Sequence, residues 1–276
     1  MDTDDPLILA DGHVHLYACF DLPRLFDAAF SNFAAVAASR GRNDDFSGAL
    51  LLTETGREHA FEDLFRSAAP ADAATARNAS PGWHLVRTSE DISLLACRGS
   101  VRLLLVAGRQ IVTREGLEVL AIGTDRRFDD GRPVEETIRR IRAVGALPVL
   151  PWGVGKWLGR RGRLVKRAVG GSEGAATRPH LGDNSGRPVF WPRPRPFRIA
   201  ERRGLKVLPG SDPLPLASEA ARVGRFGFGL SGALSGERPA ADLLRRLDEP
   251  GQPVFAYGEL ERPLRFLRNQ IRIRLR

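Results

Sequence analysis

Two histidines one residue apart, His13 and His15, and a distant aspartate, Asp212, are residue types that hold a divalent ion: imidazole and carboxylate both present a lone pair to a cation. In a β-strand residues i and i+2 face the same way, so His13 and His15 can reach one ion if they close the apolar run Leu7-Ile8-Leu9-Ala10. Hydrogen bonding by a strand-end histidine pair is the competing reading, and the spacing alone leaves the two even. Leu205-Lys206-Val207-Leu208-Pro209-Gly210-Ser211-Asp212 is a second short strand running into an acid, and it favours the metal reading.

Other strand ends offer further candidates. Gly48 to Thr53 is continuously apolar and delivers Glu54, a metal ligand or general base unless it merely opens the next loop. Ala146 to Leu150 leads into Pro151-Trp152-Gly153-Val154-Gly155-Lys156-Trp157, where Trp152 and Lys156 suit an anionic substrate, or else form a packed aromatic loop. In His180 to Pro188, Asp183, Asn184 and Arg187 are candidates for substrate contact, although Asp-Asn-Ser-Gly is also ordinary turn chemistry.

These ends need strands followed by helices. Asp21 as N-cap, Pro23 in the first turn and Leu22, Leu25, Phe26, Ala29, Phe30, Phe33 and Val36 at helical spacing predict a helix after the first strand. Further helices are expected at 57–69, 133–144, 158–169, 197–203, 217–223, 239–247 and 260–274. Residues 70–80 read as a surface excursion, and residues 108–113 and 117–123 as a β-hairpin around a Gly-containing turn. The fold class is therefore α/β, an irregular (β/α)7 TIM-like barrel with an inserted hairpin. It is expected as one domain over 1–276, with 251–276 as a basic closing arm.

The 276 residues suit that expectation, since such a barrel takes roughly 250. No window holds the roughly 18 consecutive apolar residues of a membrane helix. The acidic start Met1-Asp2-Thr3-Asp4-Asp5 lacks the basic and apolar regions of a secretory signal, and with only Cys19 and Cys97 no disulfide framework is expected, so a cytoplasmic location follows as an expectation. The net charge of +9 is mostly arginine, clustered at 160–167 and 262–276. A small anionic substrate is the favoured partner; nucleic acid is less favoured, because no finger spacing or aromatic-interleaved basic strand accompanies the charge.

The H-x-H start, the strand-then-helix order and the late Gly210-Ser211-Asp212 resemble the polymerase and histidinol phosphatase (PHP) superfamily. That resemblance implies a metal cluster at the C-terminal ends of the strands, with His13 and His15 as the first ligand pair and Asp212 as the late aspartate. Departures are present: Thr53-Glu54-Thr55 replaces Thr-Asp-His, Gln110 replaces a glutamate, Leu120 and Leu214 stand where histidines belong, and Pro151-Trp152 replaces His-Pro. The expected centre is accordingly reduced, one Zn or Mn ion or none, on His13, His15, Asp212 and Glu54. The expected activity is metal-dependent phosphoester hydrolysis, with Asp212 or Glu54 as base and Lys156 and Arg187 steadying the anion. The alternative is a degenerate barrel that binds an anionic ligand or protein partner without turnover.

Overall fold

A computed structural model describes residues 5–42, 45–70, 82–171 and 178–274. Residues 71–80 of the excursion expected at 70–80 lie outside them. Among the described residues the strands fall into a seven-stranded and a four-stranded sheet rather than one regular barrel sheet.

Strand β1 (Leu7–Val14) is buried along its whole length, because it pairs on both edges and carries core on both faces. It runs parallel to β2 (Phe46–Leu52), which runs parallel to β5 (Val101–Val106). The two-residue period divides the side chains between cores: Leu7, Leu9, Leu50, Leu52, Leu103 and Leu105 enter one cluster, and Ile8, Ala10, Ala49, Leu51, Leu104 and Val106 enter another. Helix α1 (Leu22–Ala38) covers the first of these faces with Leu25, Phe26, Ala29 and Phe33, and Asp21 caps it by accepting from the Arg24 amide at 3.1 Å. Helix α2 (Ala60–Ser67) follows β2.

The weak alternation at 83–87 and the apolar run at 101–107 each suit a short strand, and β3 (His84–Arg87) and β5 lie on them; with β4 (Ser93–Arg98) between, they form an antiparallel meander at one edge. At the other edge β10 (Gly227–Ser231) runs antiparallel to β1, with β11 (Phe255–Tyr257) beyond it. The Gly-Phe-Gly run of β10 has no strand propensity, yet its glycines are required by close approach. A Cβ at Gly227 would stand 2.2 Å from the Ala10 carbonyl oxygen, and one at Gly229 would stand 2.2 Å from the Phe255 ring.

The second sheet is β6 (Gly108–Val112), β7 (Glu118–Ile122), β8 (Leu147–Pro151) and β9 (His180–Gly182), in that order. The expected hairpin is β6–β7. Helices α3 (Val134–Ala143), α4 (Gly159–Gly170) and α5 (Arg195–Glu201) follow the same expectation to within a few residues. Backbone hydrogen bonds connect the two sheets on both sides. Glu54 bridges to Arg109 beside β2, and Leu181 bridges to Val207. The 205–212 segment then reaches β1 through Gly12 N to Pro209 O and Asp212 N to His13 O, each 2.9 Å. This segment makes single bridges rather than a regular strand, because Pro209 and Pro213 remove donors from it. A 3-10 turn (Ala217–Arg222), α6 (Pro239–Asp248) and α7 (Pro263–Arg274) complete the described chain. Among the described residues no helix is long and apolar enough to cross a membrane.

His180 holds the 205–212 segment against β9. Its Nδ1 accepts the Lys206 amide at 2.9 Å, which leaves Nε2–H to donate to Asp248 at 3.3 Å. Burial lowers its pKa, with Asp248 opposing, so the folded chain holds it neutral while the unfolded chain takes up a proton near pH 6.5. Its contribution is therefore present above that pH and lost below it, at most about 1.4 kcal/mol per pH unit for one proton. His180→Asn keeps an acceptor near the Nδ1 position and does not titrate. Urea midpoints at pH 7.5 and 5.5 are expected to fall less in this variant than in the parent, and equal falls would assign the acid loss elsewhere.

Candidate metal centre

Asp11, fully buried, holds the crossing from which the ligands emerge. Its carboxylate accepts from the backbone amides of His13 (3.2 Å), Ser211 (2.8 Å) and Gly224 (2.8 Å). Burial raises its pKa to about 6 against the pull of these donors. The backbones of β1 and the 205–212 segment touch here: a Cβ at Gly12 would lie 2.7 Å from the Pro209 carbonyl oxygen, and one at Gly210 would lie 2.3 Å from the His13 nitrogen. Beyond the crossing the chain turns sharply, with Asp212 at φ 43°, the one non-glycine residue with positive φ among the described residues. Such a conformation costs of order 1–3 kcal/mol and needs surrounding structure to hold it.

The result is a cluster of His13, His15 and Asp212. The two Nε2 atoms lie 3.2 Å apart, and Asp212 Oδ1 is 3.6 Å from the first and 3.7 Å from the second. A point equidistant from three atoms so spaced lies about 2.0 Å from each, within the usual range for imidazole and carboxylate ligands of zinc. The donor set thus fits one divalent ion.

Neighbouring groups fix the donors. His15 Nδ1–H donates to Glu58 Oε2 at 3.4 Å, which leaves Nε2 as the lone-pair nitrogen; Glu58 is anchored in turn by the Thr55 amide at 2.7 Å. Burial alone would lower the His15 pKa, but Glu58 and Asp212 outweigh it and raise it. Burial dominates at His13 and lowers its pKa, favouring the neutral ring. At Asp212 burial acts upward, yet His13, His15 and the Asn184 amide together hold the carboxyl below its usual range. Asn184 Nδ2 donates to Asp212 Oδ2, so the second carboxylate oxygen is occupied. Gln110 Oε1 stands 3.1 Å from His13 Nε2.

Glu58→Gln is expected to weaken metal binding 10- to 100-fold, the usual effect of losing the carboxylate behind a ligating histidine, with little change in the thermal midpoint. Competition against a chromophoric chelator measures it. An unchanged affinity would show that His15 needs no orienting partner.

The cluster opens on a cavity of about 390 Å³ whose lining includes Trp152, Lys156, Asn184, Glu118 and Arg222. Three of the expected substrate-contact residues, Trp152, Lys156 and Asn184, therefore reach it. Lys156 Nζ donates to Glu118, so its charge arrives paired. Asp183 and Arg187 do not line the cavity; they form a buried two-point ion pair at 2.8 and 2.7 Å that closes the 183–191 loop. Glu54 is also kept away from the histidines. Its oxygens accept from the Phe61 amide (2.6 Å) and Arg109 Nη1 (3.0 Å), so it anchors the start of α2. Glu58, four residues on, is the acid that reaches His15; it falls within the helix expected at 57–69, but that helix begins at Ala60 and leaves Glu58 in the loop before it. At the far wall Arg222 pairs with Glu261 at 3.0 Å and Glu219 at 3.4 Å, and Phe266 and Asn269 of α7 line the cavity.

No protein-family model and no curated protein matches the chain. Solved structures do resemble it. PsfC from Pseudomonas syringae PB-5123 superposes with a TM-score of 0.52 at 15% identity, over 98% of this chain and all of that one. The lesion-specific endonuclease PfuEndoQ from Pyrococcus furiosus gives a TM-score of 0.51 at 11% identity, over 91% of this chain and 59% of that one. At such identities the likeness is one of fold.

Proposed function

We propose that the chain is a metal-dependent hydrolase of PHP type that attacks a phosphate ester. The observation that carries this reading is the His13, His15 and Asp212 triangle, sized for one ion at the floor of a cavity. The same reading takes β1, β2, β6, β7, β8, β9 and the 205–212 segment as seven staves of an irregular barrel, linked by the bridges at Glu54, Leu181 and Gly12. The endonuclease neighbour, an enzyme that cuts phosphodiesters, supports the reaction class.

A divalent ion held by His13, His15 and Asp212 would supply a bound water of pKa roughly 7 and a Lewis acid for the phosphoryl oxygens. The chain's own residues supply the rest. Glu58 keeps His15 in the tautomer that presents Nε2, and Asn184 keeps Asp212 facing the histidines. With Asp212 a ligand and both Glu54 oxygens occupied by Arg109 and the Phe61 amide, neither is free to take the water proton. Of the remaining carboxylates on the cavity wall, Glu219 and Glu261 pair with Arg222, whereas Glu118 gives one oxygen, Oε1, to Lys156; Glu118 is therefore assigned that task through its other oxygen, with Lys156 beside it to hold an anionic group through its remaining ammonium donors.

One observation favours binding without turnover instead: Gln110 places a neutral amide 3.1 Å from His13 Nε2, which limits the anionic ligands. Turnover separates the two readings. Chelator-treated protein reloaded with Mn or Zn is expected to hydrolyse bis(4-nitrophenyl) phosphate or 4-nitrophenyl phosphate at a rate that saturates near one ion per chain. Stoichiometric ion without hydrolysis of any phosphate ester would select the binding reading.

A further inference from the structure

A second groove, of about 440 Å³, adjoins the metal cavity: Trp152 and Gly153 line both. Its other walls include Trp157, Trp191, Lys166, Arg195 and Arg198, and no described acidic residue lines it. Trp191 packs edge-on to Trp152 with ring centroids 5.7 Å apart, and Trp157 packs edge-on to Phe197 at 5.5 Å. The rings are thus held in fixed orientations. The proline-arginine run at 192–196 forms one wall; Pro196 and Phe197 are buried, so this run is built into the groove rather than offered as an extended ligand. Arg193 is neutralised by Glu201 at 3.0 Å. Arg195 and Arg198, three residues apart on α5, are exposed and form no ion pair among the described residues.

Trp152 is buried, but Trp157 and Trp191 are half-buried and line the groove beside unpaired guanidinium groups, the combination that single-stranded nucleic acid requires, stacking for bases and cations for phosphates. The sequence separates these groups by up to 46 positions; the fold brings them together. We infer that the groove binds a nucleotide unit, free or at the end of a strand, next to the phosphoester held in the cavity. The inference deepens the phosphoesterase reading and rests on it for the role of the cavity. Proline-fixed backbone and packed rings reduce the ordering cost of such binding.

Binding is measured by tryptophan fluorescence on the full chain in chelator-containing buffer, so that metal and turnover play no part. The probes are ribose 5-phosphate, thymidine 5′-monophosphate and a 5′-phosphorylated thymidylate tetramer. The thymidine probes are expected to bind at least 10-fold more tightly than the sugar phosphate, since one stacked base contributes about 1–3 kcal/mol. Arg195→Ala with Arg198→Ala is expected to weaken the tetramer at least 10-fold and to flatten its log–log salt slope by about 1.4, the value for two lost phosphate contacts on a single strand. A gain from monomer to tetramer assigns the groove to a strand end, and equal affinities assign it to a free nucleotide; both support the inference. Sugar phosphate binding as tightly as nucleotide, or a double variant that binds like the parent, overturns it. Loss of metal binding or hydrolysis in separate assays would overturn the enzyme reading without touching this result.

Discussion

Alanine at both His13 and His15 is expected to abolish stoichiometric metal binding. The pair supplies two of the three clustered donors, and Asp212 alone, with its second oxygen occupied by Asn184, offers one carboxylate oxygen. Structural zinc sites with four ligands bind with about 10–16 kcal/mol, roughly 3 kcal/mol per ligand, so removing two is expected to weaken binding on the order of 10⁴-fold. The imidazoles are 4% and 3% exposed, and their removal also leaves Glu58 without its donor from His15, so a stability loss of about 1–3 kcal/mol accompanies the change. Elemental analysis after dialysis against a weak chelator is the measurement, with His59→Ala, which is outside the cluster, as the control. About one ion per parent chain and none in the double variant is the expected result. Equal content in both would remove these histidines from the site.

Gly210→Ala is the second large expected effect, although it deletes nothing. The added methyl would stand 2.3 Å from the His13 nitrogen and 2.5 Å from its Cβ, against backbone that cannot rotate aside. Relief requires the 205–212 segment to move off β1, which breaks the Gly12 and Asp212 backbone bonds and pulls Ser211 from Asp11. Overpacking of this kind costs typically 1–3 kcal/mol and more where backbone must shift, so a loss of about 3 kcal/mol in urea unfolding is expected. Metal affinity should fall at least 100-fold in the same protein, since the shift separates Asp212 from the histidines. Gly56→Ala is the control: its Cβ would meet nothing within 4 Å, and a change within about 0.5 kcal/mol is expected. A Gly210→Ala protein with parental midpoint and affinity would show that the two segments do not touch so closely.

The sequence showed the parts of the site that lie on strand ends, and the reason is periodicity. β1, β2, β5, the β6–β7 hairpin and β8 carry apolar runs, and the candidate ligands His13, His15 and Asp212 lie within five residues of the ends of the mostly apolar stretches 7–10 and 205–208. Glu54 follows one too, yet Arg109 and the Phe61 amide claim it, a tertiary pairing with no local signature. Asp183 and Arg187, candidate substrate contacts by residue type, pair with each other four residues apart. Glu58, Glu118 and Asn184 act through partners 43, 38 and 28 positions away, which spacing does not reveal. The glycine-rich β10 was hidden for the opposite reason: its residues are chosen for what approaches them, not for strand propensity.

Asp11 draws its three donors from residues 13, 211 and 224, and the candidate ligands span nearly the same interval. No partial chain ending before that point contains the centre, so the site needs the closure of a loop between residues 11 and 224, a contact of high sequence separation. An ion bound there is a clasp between the two ends of the fold. At a hundred times its Kd it adds about 2.7 kcal/mol to global stability, which lowers the open population seen by a protease roughly a hundredfold. Metal supply would then set how long each copy of the chain survives, independently of any reaction it catalyses.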